Sequence, residues 1–137
     1  MSCKHKKGYL QVGKISSDID LGVYDLIKEL WIAEIYTPDA CESTADGRIS
    51  ITFRASLDAE ELLTAINSVD DQNEACSLSE RSQFLSSLCL DNWDFEIGIV
   101  YSDPSNKFAS KILLVMIVTF PKSDYDEVLR RVKEHNK

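Results

Sequence analysis

The sequence predicts an α+β fold in which about four helices cover an antiparallel sheet of four or five strands, built from two β-hairpins. Its 137 residues suit a single domain, expected over residues 1–137, with a basic, flexible tail at residues 1–7. Several short segments alternate apolar with polar residues, as strands with one buried face do. Other segments repeat apolar residues at i, i+3, i+4 and i+7, the spacing of a helix that lies on a core.

The first half of the chain predicts the order helix, strand, strand, helix. Apolar residues with helical spacing flank two segments in which apolar residues alternate. The turn dipeptide Asp46-Gly47 lies between those two segments and indicates that they form a hairpin. We expect these four elements near residues 18–30, 31–37, 48–55 and 57–67.

The second half repeats the same order, which suggests an internal duplication of an α-β-β-α unit. Ile112 to Val118 is apolar on both faces and is typical of a central strand. A loop at Asp103-Pro104 joins it to the preceding strand, and residues 9–12 could add a fifth strand at a sheet edge. We expect the four repeated elements near residues 78–90, 94–102, 109–120 and 123–135.

Charge is strongly segregated along the chain. Residues 15–106 hold nineteen of the 23 acidic residues and only four basic ones, whereas both ends are basic and the net charge is −8. This acidic segment disfavours direct binding of nucleic acid, because it would repel phosphates. Arg130 and Arg131 are expected to complement the negative end of the last helix. Such segregation bears on partners and solubility, not on the fold.

We expect a cytoplasmic protein without membrane-spanning segments. The longest apolar run has seven residues, whereas a membrane helix needs about 20. The basic N-terminus is not followed by the apolar stretch of a signal peptide. Without an export signal, the widely spaced cysteines are expected to be free thiols with no intramolecular disulfide. These cysteines are Cys3, Cys41, Cys76 and Cys89.

The sequence indicates neither an enzyme nor a cofactor or metal. The histidines, His5 and His135, both lie near a terminus, where a general base is rarely held in place. The five scattered glycines form no phosphate-binding loop. No two cysteines have the C-x-x-C spacing of many zinc and redox sites.

Three acidic clusters are the candidate functional residues. They fall in predicted loops or at strand starts, where recognition residues are common. Trp93 belongs to the third cluster, and an aromatic residue surrounded by charge is typical of a binding hot spot. The same clusters could equally form only a solvated surface, with Trp93 in the core. The candidate partner-binding residues are Asp39, Glu42, Asp46, Asp70, Asp71, Glu74, Asp91, Trp93 and Asp94.

A small, acidic α+β protein without catalytic motifs has the profile of an inhibitor of a basic protein. Immunity proteins and antitoxins that occlude the active site of a nuclease toxin are of this kind, because a cleft that binds polyphosphate must be positive. We therefore expect a basic protein partner. The alternative is a non-catalytic domain that senses a small molecule or assembles with copies of itself. That alternative predicts an apolar pocket and an interface without acids.

Overall fold

A four-stranded antiparallel sheet forms the centre of the fold, and a separate two-stranded sheet accompanies it. The computed structural model describes residues 5–43, 46–71, 74–103, 105, 106, 108 and 110–137. The strands are β1 (Lys7–Val12), β2 (Ile15–Asp20), β3 (Asp39–Ser43), β4 (Arg48–Phe53), β5 (Asp94–Tyr101) and β6 (Ile112–Pro121). The helices are α1 (Tyr24–Ile32), α2 (Ser56–Ile66), α3 (Leu78–Ser82) and α4 (Tyr125–His135), the last preceded by a 3-10 turn at Lys122–Asp124.

The main sheet joins two ββα units through their second strands. Its strand order is β3-β4-β6-β5, so that β3-β4-α2 and β5-β6-α4 meet where β4 pairs with β6. In that pairing Ile51 lies opposite Val118 and Ile49 lies opposite Phe120. The structure confirms the α+β class and the central position of the strand that contains residues 112–118.

One hydrophobic core connects the helices to one face of the sheet. Strand β4 alternates, and Ile49, Ile51 and Phe53 are buried on the helix side. Helix α1 buries Ile27, Leu30 and further residues at helical spacing against the same core. None of the helices in the described ranges is long and apolar enough to cross a membrane.

The first third of the chain differs from the sequence prediction. Helix α1 begins only at Tyr24, because residues 15–20 form β2. It then continues to Ile32, so the predicted strand at 31–37 is wrong. Trp31 lies one helical turn after Ile27 and is buried on the same face, so its spacing fits a helix as well as a strand. The helix ends before Glu34, which has a left-handed φ of 63°.

The first hairpin is shorter than expected because its first strand lies inside the predicted loop. Strand β3 pairs with β4, and the turn between them uses the positive φ of Gly47, as the turn dipeptide predicted. Residues 9–12 do form a strand, but it pairs with β2 outside the main sheet. Pro104 of the second predicted turn lies outside the described residues.

Two further expectations about ends of elements need correction. The predicted helix at 78–90 is reduced to α3, which ends before the left-handed residue Phe84. The described part of the predicted flexible tail is anchored, since His5 Nδ1 lies 2.8 Å from Asp20 Oδ2 and Lys7 begins β1. Residues 1–4 lie outside the described part of the chain.

A disulfide contradicts the expectation of free thiols. Cys76 and Cys89 are bonded, with 5.6 Å between their Cα atoms, and the bridge ties the residues before α3 to the loop after it. Cys41 is also disulfide-bonded, and Cys3 lies outside the described residues. The absence of an export signal was therefore not a sufficient argument for reduced cysteines.

Removing this bridge with Cys76→Ala and Cys89→Ala should lower the free energy of unfolding by about 2–3 kcal/mol. The bridge closes a loop with a sequence separation of 13 residues, and a loop of that size loses roughly that much chain entropy when it is closed in the unfolded state. Urea denaturation of both proteins measures the difference. Peptide mapping without reductant should recover residues 76 and 89 in one linked fragment, and two unlinked fragments would contradict the assignment.

Candidate functional site at the acidic end of the sheet

Most of the acidic clusters meet at one end of the main sheet. In the sheet register Arg48 lies opposite Pro121 and Asp94 lies opposite Thr119, so β4 and β5 begin where β6 ends. Helix α4 starts from this end, after the turn at Lys122–Asp124. Asp46, Asp91 and Asp94 lie at these strand ends, and Asp70 and Glu74 lie on either side of Asp71, which is close enough to Arg81, the partner of Asp124, to raise the pKa of Arg81. We call these five exposed acidic residues the acidic end. The acidic end comprises Asp46, Asp70, Glu74, Asp91 and Asp94.

Arg48 connects two members of the acidic end. Its guanidinium donates hydrogen bonds to Asp94 Oδ2 at 2.9 Å and to the carbonyl oxygen of Asn92 at 3.3 Å. Its backbone N–H donates to Asp46 Oδ1 at 3.1 Å. One arginine therefore holds Asp46, directly before β4, next to the start of β5.

Arg81 fixes the loop that carries Asp91. Its guanidinium donates two hydrogen bonds to the Asp124 carboxylate, at 2.5 and 2.8 Å, and others to the carbonyl oxygens of Asp91 and Cys76. The hydrogen bond with Asp124 raises the pKa of Arg81 above its ordinary value, so this cation stays charged. Arg81 thus joins α3, the loop before β5 and the start of α4.

Trp93 belongs to the core and not to the surface. The residue is 0% exposed, and its ring stacks on Phe120 with 4.6 Å between centroids. Its indole N–H donates to Asp124 Oδ2 at 3.1 Å. This position leaves Trp93 no surface with which to contact a partner, so the hot-spot interpretation of this residue does not hold.

Asp71 is buried as well, where it pairs with Arg131 of α4. The Arg131 guanidinium donates to Asp71 Oδ2 at 2.9 Å, to the Ile66 carbonyl oxygen at 2.8 Å and to Glu127 Oε2 at 2.8 Å. Burial favours a raised pKa for Asp71, but hydrogen bonds from Ser79 and Arg131 outweigh it and hold the pKa below the ordinary value. Arg131 is therefore part of the core and is not available to bind phosphate.

Two other candidate residues do not contribute to the acidic end, Glu42 because it is largely buried in an ion pair and Asp39 because of its position. The Glu42 side chain is 12% exposed and forms an ion pair with Lys122, while its backbone N–H donates to Asp20. Asp39 begins β3 opposite Thr52, at the far end of the sheet. The structure thus brings together five of the nine candidates and separates or buries the other four.

Sequence reasoning missed the arginines that organise these loops. Arg48 and Arg81 are two of the only four basic residues between positions 15 and 106. A basic residue within so acidic a segment has many possible carboxylate partners. The small number of basic residues was therefore the sequence signal that could have identified these arginines. The identity of the partner, such as Asp124 for Arg81, depends on the tertiary fold.

Two groups in the described residues have metal-ligand chemistry. One combines His5, Asp20 and Cys41, and the other combines Cys76, Glu80 and Cys89. All three cysteines are disulfide-bonded, and a sulfur in a disulfide has no thiolate charge with which to bind a metal. Neither group therefore offers a thiolate ligand in the oxidised protein.

A shallow groove lies on the face of the sheet away from the helices. Its volume is about 510 Å³, within the usual range for a small-molecule site. Gly98 contributes to its floor, where a Cβ atom would come within 3.0 Å of Ile117 and 3.1 Å of Val115. The polar residues along the groove are Asp39, Thr52 and Arg54.

Comparisons with known proteins identify one distant relative and no function. No family model matches the sequence, and no solved structure matches it. A curated relative, an uncharacterized protein of Acanthamoeba polyphaga mimivirus, is 29% identical over 126 residues. The match covers 88% of this chain and 63% of the relative. The chain therefore spans less than two thirds of the length of the relative it resembles.

The Asp71–Arg131 pair generates a prediction about stability and pH. Asp71→Asn should lower the free energy of unfolding at pH 7 by about 3 kcal/mol, because it leaves the buried Arg131 without its counter-charge. The folded pKa of Asp71 is lowered, so its contribution is complete above the unfolded pKa and is lost as the pH falls through the folded pKa. The difference between wild type and Asp71→Asn should therefore shrink in acid.

Urea denaturation of the two proteins at pH 7 and at about pH 3 measures this difference. Asp18→Asn is the matched control, since it removes an exposed carboxylate elsewhere in the chain and should cost little. An equal loss of stability in both variants would contradict the special role of Asp71.

Proposed function

We propose that this protein is a non-catalytic inhibitor that binds a basic protein partner through the acidic end. The observation that supports the proposal is the set of five exposed carboxylates at one end of the sheet. Asp94 pairs with Arg48 but keeps 61% of its side chain exposed, whereas Asp71 and Asp124 are buried together with their arginines. A nuclease toxin is a suitable partner class, because its cleft must be positive to bind polyphosphate.

Electrostatic attraction would act mainly on the rate of association. Opposite charges on two surfaces steer the encounter and can raise the association rate by one to three orders of magnitude at low salt. Salt at physiological concentration screens exposed charges over about 8 Å and should reduce that gain. The proposed complex should therefore form more slowly as ionic strength rises.

The loops that carry Asp46, Asp91 and Asp94 are held by arginines in the free protein, in so far as the structure describes their residues. Arg48 connects Asp46 with Asp94, and Arg81 connects the Asp91 backbone with α4. Binding therefore needs little ordering of these loops, and each loop that is ordered in advance reduces the entropy cost of association. This pre-organisation favours recognition over a purely solvating surface.

The groove on the open face of the sheet supports small-molecule binding less well than the acidic end supports binding of a protein. A specific site usually has several polar groups that converge on the ligand in an enclosed pocket. The groove is shallow, and its Asp39 and Arg54 side chains are exposed to solvent. We therefore favour the acidic end as the functional surface.

Replacing Asp70, Glu74 and Asp91 by lysine should slow association with the partner at least tenfold at low salt. All three residues are exposed, so the domain should stay folded. The substitutions leave out Asp71, because reversing a buried ion pair would unfold the protein. The measurement is the association rate, at low and high salt, with the basic protein that co-purifies from the host.

The matched control carries three lysines at other exposed acids, Asp18, Glu60 and Glu61, and so has the same net charge. It should associate nearly as fast as wild type, and so should a protein that lacks residues 1–4. If the triple lysine variant at the acidic end bound at the wild-type rate in low salt, the proposed surface would be wrong.

A further inference from the structure

The β5–β6 hairpin exposes a large apolar surface that the helices do not cover. The sheet register places Ile97 opposite Met116 and Ile99 opposite Leu114, so these side chains share one face. Ile97 is 70% exposed, Ile99 62% and Leu114 63%. With Phe95 and Ile112 on the same face, they expose on the order of 600 Å² of apolar surface, at the upper limit for an ordinary monomer.

This exposure results from where the helical layer ends along β6. Val118 and Phe120 are fully buried under the helices, Met116 is half-buried, and Leu114 is mostly exposed. The same strand therefore changes from core to surface within a few residues. A strand with apolar residues on both faces usually has both faces covered, and here the cover is missing over the first half of β6.

Strand β5 also forms an open edge of the sheet. Its register with β6 runs from Asp94 to Tyr101 without interruption, and the strand contains no proline or lysine. Within the described residues, no strand pairs with its outer side. Proteins usually protect a long, flat, apolar edge, because its unpaired N–H and C=O groups are a template for another strand.

The other edge of the sheet, formed by β3, is protected. Strand β3 occupies the position in the first ββα unit that β5 occupies in the second. The Glu42 backbone N–H of β3 donates to Asp20 Oδ2 at the end of β2, and the Glu42 carboxylate pairs with Lys122. In the part of the chain that the structure describes, β2 contacts the edge of the first unit, whereas no strand pairs with the edge of the second.

The charges around the hairpin favour a second copy of this chain over a basic partner. Strand β6 has no charged residue from Ile112 to Pro121, and β5 has only Asp94 and Glu96. Antiparallel pairing of two β5 strands about Gly98 would place Ile97 opposite Ile99 of the second copy. The same register places Glu96 opposite a valine, so no acid faces an acid.

We propose that two copies associate through antiparallel pairing of their β5 strands about Gly98, which forms one continuous eight-stranded sheet. The pairing would bury the main-chain edge of β5 and the flanks of Phe95, Ile97 and Ile99, while Leu114 lies one strand further in. This area is smaller than the roughly 800 Å² per partner of a standard interface, so we expect a weak dimer. The pairing involves none of the loops of the acidic end except at Asp94. The dimer is thus independent of the proposed partner binding and would carry an acidic end at each end of the joined strands.

The test uses the full chain and compares substitutions that the proposed register distinguishes. The variant with Ile97→Lys and Ile99→Lys places like charges opposite each other, whereas the variant with Ile97→Lys and Ile99→Glu places opposite charges there. Both variants add two charged groups at exposed positions. Leu88→Lys with Leu90→Lys is the control, because these residues are 87% and 96% exposed in the loop before β5.

Sedimentation equilibrium from about 1 to 100 µM measures the dissociation constant of each protein. We expect wild type and the Leu88/Leu90 control to dimerise alike, the double lysine variant to dissociate at least 100-fold more readily, and the lysine–glutamate variant to recover at least tenfold of that loss. A wild-type protein that is monomeric over this range would overturn the proposal, and the apolar hairpin would then belong to a different protein partner. Equal dissociation constants for the two charged variants would overturn the register about Gly98.

Discussion

The ion pair between Arg81 and Asp124 is the contact on which the acidic end depends. The Asp124 carboxylate accepts hydrogen bonds from the Arg81 guanidinium and from the Trp93 indole, which in turn stacks on Phe120 of β6. The guanidinium also holds the Asp91 and Cys76 carbonyl oxygens. A strongly acidic chain can bury carboxylates only where cations compensate them, and this pair does so where α3, α4 and the sheet meet.

The second half of the fold was easier to predict than the first, for reasons of length and spacing. Strands β5 and β6 and helix α4 are long. Strand β5 alternates, α4 has one apolar stripe, and β6 is a continuous apolar run, so each has a clear pattern. Around Trp31 the periods of 3.6 and 2 residues coincide over a few positions, so local spacing could not distinguish a helix end from a strand. Helix α3 ended early because Phe84 adopts a left-handed φ of 52°. A glycine at this position would have indicated such a conformation, but a phenylalanine does not.

The candidate site could be predicted as a region but not residue by residue. Loop position correctly indicated that Asp46, Asp70 and Asp91 are exposed. It could not show that Asp71, adjacent to one of them, is buried against Arg131. Whether a carboxylate is a surface charge or half of a buried ion pair depends on which cation the tertiary fold brings near it. For Asp71 that cation is Arg131, which lies 60 positions away in the sequence.

A net charge of −8 does not oppose the dimer, because of where the acids lie along β5. Asp94 is four residues from Gly98, so pairing about Gly98 separates the two Asp94 residues by about 26 Å at 3.3 Å per residue. That distance is more than three times the screening length of about 8 Å at physiological salt. The two Glu96 residues lie about 13 Å apart, also beyond this length. The electrostatic repulsion between two copies of this acidic chain is therefore weak at the β5 edge, where the apolar side chains attract each other.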